Sequence, residues 1–242
     1  MKKIFVSLLF FVALFSISKS EELTADSIIK KFYEHTGLDK FNKIKSFEIE
    51  GETQIFEDIY PFRLQYKAPN FFRWKERFHN QVVYKIINAD EAKVRTVNKT
   101  VDMGNLEQDI IRNTINYMEG FLANYKTNHF KVEYDGVDDY NGLMVYVLKV
   151  TTPTDKVFKL YLDQKTFDIR FSSANPFVLA DIGPIHFDNY TKVDGFSFPK
   201  RTQLENQQFP IIQRFYSIKI NLDFPDSFFK VDSPDNKVVE GE

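Results

Sequence analysis

The stretch YPFRLQYKAPNFFRWKERF, Tyr60 to Phe78, decides how the chain is read. Tyr60, Phe62, Leu64 and Tyr66 alternate with Arg63, Gln65 and Lys67. After Pro69-Asn70 the alternation resumes, with Phe72, Trp74 and Phe78 set against Arg73, Lys75 and Arg77. A period of two sends successive side chains to opposite faces of a strand, and Pro-Asn supplies turn chemistry between two such runs. The stretch predicts a β-hairpin with one aromatic face and one basic face.

The same period extends in both directions. Upstream, Phe47 and Ile49 alternate with Glu48 and Glu50. Downstream, strands are expected at Val82–Ile87, Lys93–Val97, Phe130–Tyr134, Met144–Val150, Val157–Leu162, Phe167–Phe171, Ile185–Tyr190, Phe196–Leu204 and Ile211–Ile220. Turn signals separate them at Asp135-Gly136, Asn141-Gly142, Asp163-Gln164-Lys165 and Asp194-Gly195. Two segments break the pattern. TADSIIKKFYEHTG reads as a short helix capped by Thr24 or Asp26, with Ile28, Ile29, Phe32 and Tyr33 on one face and Gly37 as its stop; a small turn, Leu38–Ile44, follows. Asn105–Tyr125 carries Leu106, Ile110, Ile111, Ile115, Met118, Leu122 and Tyr125 at helical spacing. The expected fold class is mainly β with helices (α+β): one antiparallel sheet too long to stay flat, interrupted by a helix that covers part of it.

The N-terminus has the three parts of a secretory signal: Lys2 and Lys3, an apolar run from Ile4 to Phe15, and a polar stretch from Ser16 to Ser20. Cleavage after Ser20 is expected, because the run falls short of the roughly 20 apolar residues that span a bilayer. Residues 1–20 then form a signal peptide and 21–242 a single domain with no Gly/Ser- or Pro-rich linker. The chain holds no cysteine. That excludes disulfides, thiolate metal sites, cysteine nucleophiles and a lipidated cysteine at the start of the mature chain, where Ser18-Lys19-Ser20-Glu21 stands instead. With 32 basic and 34 acidic residues spread along the sequence, there is no electrostatic footprint for nucleic acid.

Catalytic signatures are missing. Four histidines stand at no metal-binding spacing, and neither a G-x-S-x-G elbow nor a phosphate-binding glycine loop occurs among the nine glycines. The acidic cluster DGVDDYNG, Asp135–Gly142, lacks the alternate carboxylates and terminal Glu of a calcium loop and reads as a hairpin turn. The remaining signal is aromatic: 26 Phe and 12 Tyr against one Trp. A filled core and an apolar cavity are both compatible with it, since pattern does not separate the two.

KAPNFFRW, Lys67–Trp74, resembles the periplasmic lipoprotein carriers of the LolA/LolB superfamily, in which a strand ending in a basic residue and Pro-Asn leads into F-x-W. VEYDGVDDYNGLMVYVLKV, LYLDQKTFDIRF and FDNYTKVDGFSFPKRTQL are similar to its outer-membrane lipoprotein-sorting subgroup. The resemblance implies an incomplete antiparallel barrel of about eleven strands capped by helices, with an apolar cavity that accepts acyl chains and needs no cofactor. Phe72 and Trp74 match its cavity-side aromatics; alternation adds Phe78, and on the preceding strand Leu64, Tyr66 and Phe62, as lipid-binding candidates. The implied role is a soluble, monomeric, non-enzymatic periplasmic carrier of lipoprotein acyl chains or lipids, loaded by an inner-membrane releasing complex and unloaded to an outer-membrane acceptor. One position departs from the pattern: Ala68 stands where the best-known carriers place an Arg that hydrogen-bonds their helical lid. A periplasmic protein-interaction module with a solid core, and an enzyme on the same scaffold, are the other classes. A lipocalin-type barrel lacks its G-x-W here.

Overall fold

The computed structural model describes residues 23–78, 81–105, 107–108, 111–112, 122, 125–127, 129–174, 183–205 and 209–236. The expected signal peptide lies outside them, as does most of the expected helix at Asn105–Tyr125, including Leu106, Ile110, Ile115 and Met118.

The chain opens with α1, Ala25–Thr36. Thr24 caps it: the Thr24 hydroxyl accepts from the Ser27 N–H at 3.2 Å, and the Ser27 hydroxyl accepts from the Thr24 N–H at 3.0 Å, which satisfies two donors that helix geometry orphans. Gly37 ends it in the left-handed conformation (φ 76°), its N–H donating to the Tyr33 carbonyl at 2.9 Å. A Cβ there would stand 2.4 Å from the Gly195 carbonyl oxygen, so glycine also permits this close approach. Asp26, the other capping candidate, is free for a different use.

After a 3₁₀ turn at Leu38–Lys43 come β1 (Ser46–Ile55), β2 (Asp58–Lys67), β3 (Phe71–Phe78), β4 (Gln81–Ile87), β5 (Ala92–Arg95) and β6 (Thr100–Asp102). The second half supplies β7 (Lys131–Tyr140), β8 (Leu143–Thr151), β9 (Val157–Asp163), β10 (Ile169–Ser172), β11 (Ile185–Asp188), β12 (Thr191–Val193), β13 (Phe196–Phe198), β14 (Arg201–Glu205) and β15 (Pro210–Ile220). Among the described residues, thirteen strands form one antiparallel sheet in the order β6-β5-β4-β3-β2-β1-β15-β14-β11-β10-β9-β8-β7, and β12 and β13 pair by themselves. The sheet is not closed: β6 and β7 end it on opposite sides. The last strand, β15, lies between β1 and β14 and so joins the two halves of the chain.

Several expectations needed correction. Asp135-Gly136 is no turn. It lies within β7, where the register against β8 slips between Tyr134 and Val137 and Gly136 takes φ +103°, a bulge that glycine accommodates. The turn is Asn141-Gly142, both at positive φ. Phe196–Leu204 is two strands in two sheets. Pro199 offers no N–H at the break, and beyond it the Lys200 N–H turns to the Asn189 carbonyl at 3.2 Å.

One face of the sheet, here the inner face, packs against α1 and the segment after β6. Ile28, Ile29, Phe32 and Tyr33 of α1, with Met103, Ile111 and Leu122, share a continuous buried cluster with Phe47, Ile49, Phe62, Leu64, Tyr66, Phe72 and Ile87 of the sheet and with Phe196 and Phe198 of the small hairpin. The outer face is not simply solvated. Val82, Tyr84 and Ile86 of β4 form a second, smaller cluster with Val231 of the C-terminal segment.

Candidate functional site

The hairpin β2–β3 pairs Leu64 with Trp74 and Tyr66 with Phe72, and β1 pairs Phe47 with Tyr66 and Ile49 with Leu64. Side chains directly opposite one another share a face, so an aromatic lane runs across three strands. Its rings touch: Phe47 and Tyr66 at 5.0 Å, Tyr66 and Phe72 at 5.1 Å, Phe62 and Trp74 stacked at 4.7 Å, and Phe62 edge-on to Phe215 at 6.1 Å. Gly51 makes room for Phe62, since a Cβ there would lie 3.0 Å from the ring and 2.2 Å from the Arg214 carbonyl oxygen.

Phe62, Leu64, Tyr66 and Phe72 are fully buried under the helical cover, and Trp74 is half-buried at the edge of the cluster. Phe78 shares the parity of Phe72 and Trp74 but is 47% exposed at the end of β3, where it stacks on Tyr60 at 4.7 Å. Thus five of the six expected residues come together, and the sixth belongs to a rim. That rim includes Phe56 at the β1–β2 turn, 4.6 Å from Phe209, and Ile59.

Where the lane meets the segment after β6, polar groups converge. The Trp74 indole N–H donates to Glu76 Oε2 at 3.0 Å; Lys85 Nζ lies 2.9 Å from Glu76 Oε1 and 3.0 Å from Glu107 Oε1. Trp74 and Lys85 are register partners, so this group sits on the inner face. Burial by itself draws the Lys85 pKa down, and the Glu76 and Glu107 carboxylates more than reverse it, holding the ammonium above its ordinary value. Alternation alone had no means of finding this group, because Glu107 comes from a different part of the chain.

Ala68 donates its backbone N–H to the Lys45 carbonyl at 2.8 Å, and its methyl side chain, packed against the buried cluster, has no hydrogen bond to offer a helix. The cover is tied elsewhere. Asp26 of α1 accepts hydrogen bonds from the Tyr125 hydroxyl and from Lys126 Nζ, the latter at 2.9 Å. Hydrogen bonds from Tyr125 and Lys126 hold the Asp26 carboxyl below its ordinary value. An open groove runs beside this tie, lined by Ile29, Lys30, Tyr33, Leu122 and Thr127 among others.

On the opposite, basic face Arg73 is buried: it is 5% exposed. Its Nε donates to Asn236 Oδ1 at 2.6 Å, Nη1 to Gln65 Oε1 at 2.6 Å and Nη2 to the Asp235 carbonyl at 2.9 Å, while the guanidinium lies between the rings of Tyr84 (4.9 Å) and Phe228 (4.3 Å). Arg73 thereby clamps the C-terminal segment onto the sheet. Asn88 assists, donating to the Phe229 carbonyl at 2.9 Å.

No family model and no curated protein matches this chain. Solved structures do. A LolA superfamily protein of Nitrosomonas europaea superposes with a TM-score of 0.53 over 86% of this chain and 98% of its own, at 16% identity. An outer-membrane lipoprotein-sorting domain of Vibrio parahaemolyticus, so described, gives 0.54 over 84% and 96% at 12% identity. A DUF1329 family protein of Desulfovibrio piger gives 0.54 over 84% and 97% at 9% identity.

The fold is LolA-like. At these identities the likeness is one of architecture, and it agrees with the open antiparallel sheet and its helical cover. Within this frame the aromatic lane lies on the face that packs against the cover.

Proposed function

We propose that this protein is a periplasmic carrier that shields the acyl chains of lipoproteins or lipids between the aromatic lane and its helical cover during transfer to the outer membrane. The observation that carries the reading is the lane itself, Phe62, Leu64, Tyr66, Phe72 and Trp74 in one cluster with α1 and with Met103, Ile111 and Leu122. The Asp26 tie to Tyr125 and Lys126 is an exposed polar contact that adds little to the cost of parting the cover from the sheet, a cost that lies in apolar contacts which an acyl chain would replace. An acyl chain that buries about ten methylenes gains about 8 kcal/mol, a Kd near 1 μM before the cover's own cost. On this reading the protein is not an enzyme, and it meets an inner-membrane releasing complex and an outer-membrane acceptor in turn.

Trp74 is the chain's single tryptophan, so its fluorescence reports on the lane. Titration with methyl 9,10-dibromostearate, whose bromines quench indole on contact, should quench Trp74 saturably, and native mass spectrometry of protein purified from a periplasm without detergent should reveal extractable lipid. No quenching and a clean apo mass would refute the carrier.

A second reading, a protein-interaction module with a solid core, is favoured by the exposed rim of Phe56 (66%), Ile59 (52%) and Phe78 (47%) at one end of the sheet. It predicts a dry, unquenchable lane and a protein partner whose binding is lost with Phe56→Ser and Phe78→Ser.

A further inference from the structure

On β1, β15 and β14, the strands that join the two halves of the sheet, the inner face is apolar except in one row. Thr53 of β1 stands opposite Gln213 of β15, and Gln213 opposite Thr202 of β14. Residues directly opposite share a face, so three neutral polar side chains lie side by side. The row on one side of them holds Ile55, Ile211 and Leu204. The row on the other holds Gly51 and Phe215, and Phe215 meets Phe62 of the lane edge-on at 6.1 Å. All three polar side chains are half-buried. The Thr202 hydroxyl donates to Gln213 Oε1 at 3.4 Å, the row's one side-chain hydrogen bond among the described residues. Both N–H donors of the Gln213 amide and the Thr53 hydroxyl are left for another acceptor. Valine and leucine at these places would match the neighbouring rows without partly desolvating unpaired donors.

We propose that the Thr53–Gln213–Thr202 row binds the neutral carbonyl, ester or amide, that joins an acyl chain to its headgroup. The row and Phe62 are two residues apart along the strands, about 7 Å. A chain held at the row by its carbonyl therefore passes over Phe215 onto Phe62 and reaches Trp74, which stacks on Phe62 at 4.7 Å. A carbonyl oxygen has two lone pairs, one for the Gln213 amide and one for the Thr53 hydroxyl. Tyr60 and Phe187 continue the row on the neighbouring strands, so it holds no charged member. A carboxylate placed there is desolvated without a counter-ion. The site thus takes acyl chains in esterified or amidated form in preference to free fatty acids.

The inference deepens the carrier reading and rests on it, and its test separates the two. Quenching of Trp74 is titrated with methyl 9,10-dibromostearate, with methyl 9,10-dibromooctadecyl ether, which lacks only the carbonyl oxygen, and with ionised 9,10-dibromostearate. Wild type should hold the ester about tenfold more tightly than the ether, and the ionised acid more weakly than the ester. Gln213→Met, unbranched and without donors, should weaken the ester about fivefold and spare the ether; Thr53→Val should weaken the ester about threefold. Gln203→Met, on the outer face, should leave the preference at its wild-type value. Ester and ether held alike by wild type, or a preference unmoved by both inner-face variants, would overturn the site. So would a preference lost equally in Gln203→Met, or an ionised acid held more tightly than the ester. In each of these cases the carrier stands, since a brominated chain still quenches. Quenching by none of the three probes on wild type removes the carrier reading and the carbonyl site with it.

Discussion

Arg73→Ala tests the sharpest difference between strand pattern and tertiary structure. By alternation Arg73 and Arg77 are equivalent, two basic residues on the face away from the aromatic lane. In the folded chain Arg77 is exposed, whereas the Arg73 guanidinium makes three hydrogen bonds and is sandwiched by two rings. Two of its acceptors belong to the buried side chains of Gln65 and Asn236. Hydrogen bonds to charged groups contribute about 1.5–3 kcal/mol each, and each buried acceptor left unpaired costs about 1–3 kcal/mol. Against this, the variant no longer desolvates a guanidinium, which offsets several kcal/mol. The net expected loss is about 3–5 kcal/mol, the range found when one partner of a buried charged network is removed. Arg77→Ala should stay within about 0.5 kcal/mol of wild type. Urea unfolding followed by Trp74 fluorescence and by far-ultraviolet circular dichroism measures both. Coincident transitions displaced by the expected amount support a clamp that belongs to the global fold. A loss below about 1 kcal/mol for Arg73→Ala, or equal losses at the two positions, would refute the reasoning.

Gly51→Ala should destabilise by at least about 1–3 kcal/mol in the same assay, because its Cβ would lie 2.2 Å from the Arg214 carbonyl oxygen, a backbone atom that cannot step aside cheaply. Phe72→Glu puts a charge into the buried lane and should abolish Trp74 quenching by brominated chains, whereas Arg77→Glu should leave it intact; equal losses would contradict the assigned faces. The Asp26 tie should respond to pH from both sides. Asp26 has a folded-state pKa below its ordinary 3.8, so its contribution is present above that value and lost as pH falls through the lowered pKa. Lys126 is raised above its ordinary 10.5 by Asp26 and Tyr125, so its contribution is present below that value and lost as pH climbs through the raised one. Hydrogen exchange of α1 amides should accelerate at both extremes, and Asp26→Asn should flatten the acid arm; an unchanged acid arm in the variant would exclude the tie.

Much of the fold was legible in the residue pattern because the signals are local. Thr24, the apolar stripe of Ile28, Ile29, Phe32 and Tyr33, and Gly37 specify α1 within fourteen residues, and the alternation from Phe47 to Phe78 specifies three strands and their common face. Where the pattern misled, the local signal was ambiguous. Asp135-Gly136 has turn composition, yet the chain uses the glycine for a bulge; Phe196–Leu204 reads as one strand, yet its Pro199 divides it between two sheets.

By itself, then, the sequence determined the strand-rich class, the aromatic lane and its parity, because side-chain direction in a strand depends only on position along it. Tertiary structure alone decided the rest. Arg73 is buried because residues 224–236 return across the outer face; Phe78, at the end of β3, stays exposed; and Lys85 meets Glu107, and Asp26 meets Tyr125 and Lys126, across 22 and about 100 residues of chain. Such meetings are set by sheet order and by the packing of the cover, which depend on the summed burial of the whole core and leave no trace in the spacing of neighbouring residues.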